Sequence, residues 1–473
     1  MKVLLISPNQ LKGFRPSLPI GMKAIEAVLK KHGYNVKSID LCFEVYPDKT
    51  LKSIIYSFEP DVVGFSIRNI DNQNFLDPCF LLSPIKRYIA LCNKWKPNII
   101  TIVGGAAFTL MPDEMIQYLN ADFGIVGPGE ESIIPLLENI SKGINIPNNI
   151  IKCECGKKNN VKNSIVSMEY FEVQNLSKYD KRYFEYDFNG PTFIKNAAYP
   201  IIGKRGCPYN CIYCANSLIA KTKCICRPAI NVVDDIEKVI NENEAKCFEF
   251  VDGAFNAPYH HALEICKEMK KRRIKFPWYC MFTPGNATEE LIDLMAETGC
   301  QLAELGTESG SNRILKQLNK HFMSEHIVNA HMLLSERNIK VEHCLFIGSP
   351  GENKETLKES FELMDYLISQ NDISINRAFF SLGYRLFKQT KIYKIAIKEK
   401  LINSKESLLV PKFYIEPKIL NDNNILESIE SAMKNHPHWF LWWGFSKIPL
   451  IEQIKNAQTF YTNLESELIN RTL

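Results

Sequence analysis

Apolar and polar positions along this chain follow two alternating rhythms. Short apolar runs, the mark of buried strands, take turns with stretches whose apolar residues recur every three or four positions, the mark of amphipathic helices. Lys2 to Ser7 is the first run, ended by Pro8-Asn9, and Gly21 to Lys31 then carries Met22, Ile25, Val28 and Leu29 at helical spacing until Gly33. Asn35 to Leu41 predicts a strand, Leu51 to Phe58 a helix and Asp61 to Ile67 a buried strand. Asn98 to Val103 runs into Gly104-Gly105, and Phe123 to Val126 into G-P-G-E-E. Strands separated by helices predict an α/β fold, a doubly wound Rossmann-like sheet over residues 1–145 with its ligand beyond the carboxyl ends of the strands. The glycines cluster at those ends, where they would let backbone approach a large ligand.

Residues 146–190 read as a linker. Lys142 to Asn163 is rich in Asn, Lys and Gly, as loops and hairpins are, and Tyr170 to Phe193 is aromatic and charged, suited to threading from one domain to the next. From 191 to 385 the alternation resumes. Strands are predicted at Cys247 to Val251, Pro277 to Phe282, Leu302 to Leu305, Lys340 to Ile347 and Arg377 to Leu382. Helices are predicted at Tyr259 to Lys271, Thr288 to Thr298, Ser324 to Arg337 and Lys354 to Leu367. This repeat predicts a (β/α)6 partial TIM barrel, whose active site collects at the carboxyl ends of its strands. Residues 386–473 predict a small, mainly helical C-terminal domain with an amphipathic helix from about Ile448 to Leu468. Its aromatic cluster H-P-H-W-F-L-W-W-G-F reads first as core packing and second as an apolar wall for substrate.

Composition narrows the class. The 473 residues are 45% hydrophobic and 23% charged, as in ordinary globular proteins, and the formal charge of +4 is too small for a broad nucleic-acid-binding surface. Only four apolar residues, Val3 to Ile6, precede Ser7-Pro8, too few for a signal-peptide core, and no run reaches membrane-spanning length. A cytoplasmic, reducing location is therefore expected, in which the fifteen cysteines serve as thiols rather than disulfides.

Three of them stand out. Lys204 to Asn216 reads K-R-G-C-P-Y-N-C-I-Y-C-A-N, placing Cys207, Cys211 and Cys214 in a C-x-x-x-C-x-x-C array with Tyr213 just before the last. A structural zinc site wants four ligands, whereas an iron-sulfur cubane held by three thiolates keeps one iron open. A zinc knuckle, or three unrelated buried thiols, is the plainer alternative. The pairs Cys153/Cys155 and Cys224/Cys226 could bind zinc or a second cluster, or stay thiols.

The array resembles the signature of the radical S-adenosylmethionine (SAM) superfamily. The resemblance implies a [4Fe-4S] cluster on Cys207, Cys211 and Cys214, with the SAM amino and carboxylate groups on the open iron and Tyr213 near the adenine. Three strand ends are similar to the superfamily's SAM-binding positions. F-V-D-G-A-F-N offers Asp252 to the SAM amine or ribose, and L-G-T-E-S-G-S offers Glu308 to the ribose hydroxyls or the amine. F-I-G-S-P-G-E places Gly348 and Pro350 on the adenine side. Either carboxylate could instead cap the next helix. Lys320 and His321 are candidates to meet SAM or substrate, while His321, His326 and His331, spaced by five, scatter around a helix and make a poor metal triad.

Upstream, P-S-L-P-I-G, G-F-S-I-R-N, V-G-G-A-A and V-G-P-G-E-E resemble, in that order, the cobalamin-binding domain that precedes many radical SAM cores. This implies a corrin beside Ser66, Asn69, Asp71, Gly104, Gly105, Gly127, Gly129 and Glu130. No D-x-H-x-x-G is present, and His32, in K-K-H-G-Y, is expected at the surface, so the cobalt would lack a histidine lower ligand. The G-F-S-I-R-N segment resembles that of the tryptophan-methylating enzymes of thiopeptide pathways, which implies that Arg68 faces the cobalt from below; a salt bridge or strand-end cap is the alternative. Taken together, the resemblance implies a cobalamin-dependent radical SAM methyltransferase that moves a methyl group from SAM, through cob(I)alamin and methylcobalamin, to an unactivated carbon or phosphorus of a small molecule. Arg68 and Tyr213 would be its catalytic residues, and flavodoxin or ferredoxin its external reductant. The rivals are a cobalamin-dependent radical enzyme that cyclises, rearranges or oxidises without methyl transfer, and a sensor without turnover.

Overall fold

The computed structural model describes residues 1–12, 16–152, 180–186, 190–194, 197–219, 224–242, 246–369, 376–441 and 448–470. Cys153, Cys155, Trp442 and Trp443 lie outside the described residues. The chain forms two compact units, one of residues 1–72 and 80–186, the other of residues 73–79 and 187–473.

The first unit is built on a six-stranded, all-parallel sheet. Its strands are β1 (Lys2–Ser7), β2 (Asn35–Asp40), β3 (Val62–Ser66), β4 (Ile100–Gly104), β5 (Phe123–Val126) and β6 (Ile150–Lys152), in the spatial order β2-β1-β3-β4-β5-β6. The sequence predicts the first five. The sixth comes from the segment read as linker, where three residues, Ile150–Lys152, add a parallel edge beside β5. Parallel strands are buried on both faces, which is why β1 reads as an unbroken apolar run. Val3, Leu5, Val62, Ile102 and Ile125 from the strands pack with Met22, Val28 and Leu29 of the helix Ile20–Lys31 and with Ile133, Leu136 and Leu137 of the helix Ile133–Ser141. The strand order reverses at β1/β3, the switch point where open sheets of this order take ligands.

His32 is exposed at the carboxyl end of the helix Ile20–Lys31, its Nδ1 2.9 Å from the Val28 carbonyl oxygen, as expected of a surface imidazole. The short helix Arg182–Glu185 also belongs to this unit. Tyr183, fully buried, donates its hydroxyl to Asp40 Oδ2 at 2.7 Å, and Arg182 reaches the Phe43 carbonyl and Glu44, both at 3.1 Å. These contacts fasten the chain across the carboxyl end of β2.

The second unit carries a seven-stranded parallel sheet: β7 (Tyr199–Ile201), β8 (Phe248–Phe250), β9 (Trp278–Phe282), β10 (Cys300–Glu308), β11 (Lys340–Ile347), β12 (Asn376–Leu382) and β13 (Trp439–Leu441). Successive strands are neighbours throughout, the order of a partial barrel wound in one direction. The expected six strands are joined by a seventh from the aromatic cluster. Trp439, buried, lies 5.4 Å from Phe380 and 5.6 Å from Phe361, which bears out core packing for this residue.

Helices between the strands bury one face each. Thr288 caps the helix Glu289–Glu297 by accepting from Leu291 N, and Glu289 and Glu290 sit in its positive first turn. Near the amino end of β11, Glu342 accepts from the Thr192 hydroxyl at 2.8 Å and from Phe193 N at 2.5 Å, so the segment entering the barrel is tied to its floor. Arg377 of β12 covers the Phe193 ring at 3.7 Å and donates to the Pro191 carbonyl.

Candidate active site

The cysteine loop starts from β7 and is held at its root by Asp252, just past the end of β8. Asp252 Oδ1 accepts from Gly203 N at 3.0 Å and Lys204 N at 3.1 Å, and its Oδ2 accepts from Lys204 Nζ at 3.0 Å. Lys204 Nζ also reaches the Phe255 carbonyl at 3.1 Å, and both side chains of the ion pair are 1% exposed. In this structure Asp252 braces the loop, with both of its oxygens engaged by the chain. A carboxylate at a strand end meets whichever donor is nearest, and Lys204 fills the place.

Further along, the loop is stitched to residues 318–321. Ile212 N donates to the Leu318 carbonyl at 3.2 Å, and Asn319 Nδ2 to the Asn210 carbonyl at 2.8 Å. Tyr209, between Cys207 and Cys211, stacks on His321 with ring centroids 3.4 Å apart and planes 9° from parallel. His321 Nε2 sits 3.1 Å from Thr283 Oγ1, and burial with the nearby Lys320 charge pushes its imidazole down to about 4, so it is neutral near pH 7. His321 therefore serves the loop, while His331 turns to His343, so the three spaced histidines do not converge.

All three cysteines are half-buried. Burial pushes the Cys211 thiol up to about 11 against the opposing pull of Lys320, and burial also raises Cys214. Such thiols stay protonated until a metal displaces the protons. Among the described residues no three His, Cys, Asp or Glu side chains close on a point fit for a single ion.

Beside the loop, Tyr213 packs against Tyr384 at 5.0 Å and Phe346 at 5.7 Å. Its hydroxyl lies 3.3 Å from Lys320 Nζ, and Lys320 donates to Glu308 Oε1 at 3.0 Å. Burial and then the Glu308 charge raise the Tyr213 phenol well above its ordinary value. Burial pulls the Lys320 ammonium down, but the Glu308 carboxylate together with Cys211 and Cys214 outweighs it, and the net shift is upward. The side chains are 8% and 9% exposed. Glu308 Oε2 is buried without any hydrogen-bond partner. An unsatisfied buried carboxylate oxygen costs of order 1–3 kcal/mol, so this one calls for a ligand.

The G-S-P-G-E loop follows β11. Gly348 stands at φ +92°, and a side chain there would put Cβ 2.7 Å from Ile415 Cγ2, so only glycine fits. Glu352 Oε2 accepts from Gly348 N at 2.5 Å and Ser349 N at 3.1 Å, while Ser349 Oγ meets Tyr384 Oη at 2.8 Å. Pro350 is buried within this turn.

In the first unit the predicted corrin residues gather on one edge. Ser66 closes β3 and is followed by exposed Arg68, Asn69 and buried Asp71; Gly104 closes β4 and Gly105 follows; Gly127, Gly129 and Glu130 come just past β5. Asp71 bridges Phe80 across the neck of the loop. Gly105, at φ +100°, has its own reason to be glycine, since a Cβ would lie 2.5 Å from the Ile67 carbonyl oxygen. The backbone that approaches it is the chain's own.

A model of the B12 binding domain matches residues 16–136, and a model of the radical SAM superfamily matches residues 201–364. The chain carries a B12 binding domain followed by a radical SAM domain. This radical SAM protein is 25% identical over 428 residues to the cytidylyl-2-hydroxyethylphosphonate methyltransferase of Streptomyces wedmorensis, covering 76% of each chain. It is 23% identical over 446 residues to the tryptophan 2-C-methyltransferase of Streptomyces laurentii, covering 81% of this chain and 72% of the relative. Its fold matches that of the radical SAM methyltransferase TsrM from Kitasatospora setae, solved with cobalamin and a [4Fe-4S] cluster, with a TM-score of 0.74 at 19% identity over 93% of this chain and 90% of that one. The cofactors of this radical SAM protein are a [4Fe-4S] cluster, SAM and cobalamin. No described helix is long and apolar enough to cross a membrane.

Lys320 and His321 were expected to meet SAM or substrate, whereas no part was expected for Lys204, Tyr209, Tyr384 or Glu352. Only Tyr209 had a usable signal, an aromatic between two of the cysteines.

Proposed function

We propose that this protein transfers a methyl group from SAM, by way of cobalamin, to an unactivated carbon or phosphorus of a small molecule. The observation that carries the reading is Glu308: a buried, ion-paired carboxylate with one unclaimed oxygen, linked through Lys320 to the tyrosine of a three-cysteine loop. That oxygen suits a ribose hydroxyl or an ammonium of SAM. Two relatives named for methyl transfer, each spanning more than two thirds of its own length, support the reaction class. When bound, the cluster supplies an electron to the sulfonium, and cobalamin supplies a carrier for the methyl group.

Cys207, Cys211 and Cys214 would hold the cluster, Tyr213 and the Gly348–Pro350 turn would flank the adenine, and Glu308 would orient SAM. In the first unit Ser66, Asn69, Asp71, Gly104, Gly105, Gly127, Gly129 and Glu130 would line the corrin, with Arg68 as the cation under cobalt that disfavours a water ligand. A flavodoxin or ferredoxin would supply electrons in the cytoplasm. The small charge of +4 favours a small-molecule substrate over nucleic acid.

The test uses anaerobic, cluster- and cobalamin-loaded protein with dithionite and SAM carrying a deuterated methyl group. S-adenosylhomocysteine with label in the corrinoid fraction is expected. 5'-Deoxyadenosine alone would favour cyclisation, rearrangement or oxidation, and neither product would overturn the enzyme reading.

A further inference from the structure

Glu308 is not held by its ion pair alone. Its backbone sits at φ +64°, in the left-handed region that a long side chain rarely adopts, directly after a register shift between β10 and β11 at Gly306/Glu308. Ser309 N donates to the Thr307 carbonyl at 2.7 Å across it. A two-residue hydrogen bond around a central residue of positive φ is the rare, strained form of γ-turn. Strain of this kind, roughly 1–3 kcal/mol, persists only where the surroundings enforce it.

Two buried polar lines enforce it here. On one flank Thr307 Oγ1 lies 2.8 Å from His343 Nδ1, and His343 Nε2 lies 2.9 Å from His331 Nδ1, with both imidazoles 0% exposed. His331 hydrogen-bonds in turn to the Leu367 carbonyl. Burial drives His331 down to about 4 and His343 well below its ordinary value, so both rings are neutral and each carries one proton. The carbonyl fixes the order. His331 must donate to Leu367 through Nε2, so its Nδ1 accepts from His343 Nε2–H, and His343 Nδ1 accepts the Thr307 hydroxyl proton. The competing contact from Thr307 Oγ1 to the Leu305 carbonyl is longer, at 3.3 Å. On the other flank Ser360 Oγ meets Ser309 Oγ at 3.0 Å and accepts from Gly310 N at 2.9 Å.

We propose that His343 and His331 are positioning residues for Glu308, a one-way line of hydrogen bonds that holds Thr307 and so the γ-turn presenting the unclaimed carboxylate oxygen. The inference rests on Glu308 being a SAM acceptor. Neither histidine touches SAM; they act through the turn.

Full-length protein loaded with cluster and cobalamin tests this through anaerobic SAM titration, followed by the electron paramagnetic resonance signal of the reduced cluster. His343→Leu removes both hydrogen bonds; it is expected to keep wild-type iron content and to weaken SAM binding about tenfold. His343→Gln keeps one acceptor and one donor, and should bring affinity back to within about threefold of wild type. Wild-type affinity in His343→Leu, or no rescue by His343→Gln, overturns the proposal. If His343→Leu fails to fold, Thr307→Val decides, because unchanged SAM affinity there overturns it equally. Glu308→Gln in the same titration separates the two readings. Wild-type affinity in Glu308→Gln removes Glu308 from the SAM site, whereas weak binding there beside an unaffected His343→Leu removes only the positioning role.

Discussion

Replacing Lys320 by methionine keeps the length and apolar stem of the side chain and deletes its charge, which leaves Glu308 buried without a counter-ion. The two groups are 3.0 Å apart, with side chains 8% and 9% exposed, so water cannot replace the lost ammonium. Breaking a buried pair by removing one partner costs about 3–5 kcal/mol, because the survivor must be neutralised or left uncompensated. A ceiling follows from the first route. Protonating an ordinary carboxylate, which titrates near pH 4.3, costs about 4 kcal/mol at pH 7.5 and under about 2 kcal/mol at pH 5.5. The sign is that of a carboxyl raised in the folded state: the penalty is absent below the unfolded value and grows as pH rises toward the folded one. For a unit of this size, where 1 kcal/mol moves the midpoint by about 2 °C, Lys320→Met should melt about 6–8 °C below wild type at pH 7.5 and about half that at pH 5.5. Lys320→Met/Glu308→Gln, which buries no charge, should recover most of the loss. Melting of cluster-loaded protein under argon reads all three variants at both pH values. A deficit that does not shrink on acidification, or a double variant no better than the single, would refute a buried, mutually dependent pair.

Glu352 gives a second pH signature. Burial lifts its carboxyl to about 7 despite two backbone N–H donors, and the side chain is 1% exposed. Its contribution is therefore complete below about pH 4.5 and lost as pH rises through about 7, at most about 3 kcal/mol. Glu352→Gln should lack this loss, so the melting difference between it and wild type should widen from pH 5 to pH 8; a constant difference would count against a raised Glu352. Asp252→Asn should leave Lys204 buried beside a neutral amide and loosen the root of the cysteine loop. Iron retained after gel filtration should fall by half or more with secondary structure intact by circular dichroism, and full retention would show that the brace is dispensable.

The strands and helices were legible where apolar periodicity and length agree. Lys340–Ile347 and Tyr259–Lys271 begin and end where the sequence predicts, since each is long enough to show its period and is bounded by polar or glycine residues. Ile150–Lys152 and Trp439–Leu441 were not legible, because three residues carry no period and their strand character comes from the neighbour they pair with. The cysteine loop and Glu308 could be picked out by residue type. What surrounds them could not: Lys204 finds Asp252 across 48 positions and Thr307 finds His343 across 36, separations set by strand order rather than by local pattern. Asp252 shows the consequence. Its strand-end position suits a ligand and a brace equally, and only the partner decides.

Buried carboxylates recur around the barrel as staples, and this recurrence helps to say which one is kept for a ligand. Asp252 binds backbone N–H groups at the root of the cysteine loop, Glu352 those of the turn after β11, Glu416 that of Gly351 at 2.7 Å, and Glu342 that of Phe193 on the floor. Each holds an irregular segment whose donors would otherwise be buried unpaired. Among the described residues Glu308 accepts from no backbone donor and has one oxygen on Lys320. Glu352 also has an oxygen without a partner, yet its upward shift toward protonation near neutral pH suits an acid that donates weakly rather than a charged acceptor. Glu308 instead meets the Lys320 ammonium at 3.0 Å, at the edge of the three-cysteine loop. Among the described carboxylates of this ring named here, it is the one that combines a cationic partner with an unused acceptor, the combination that binding an ammonium or a ribose hydroxyl requires.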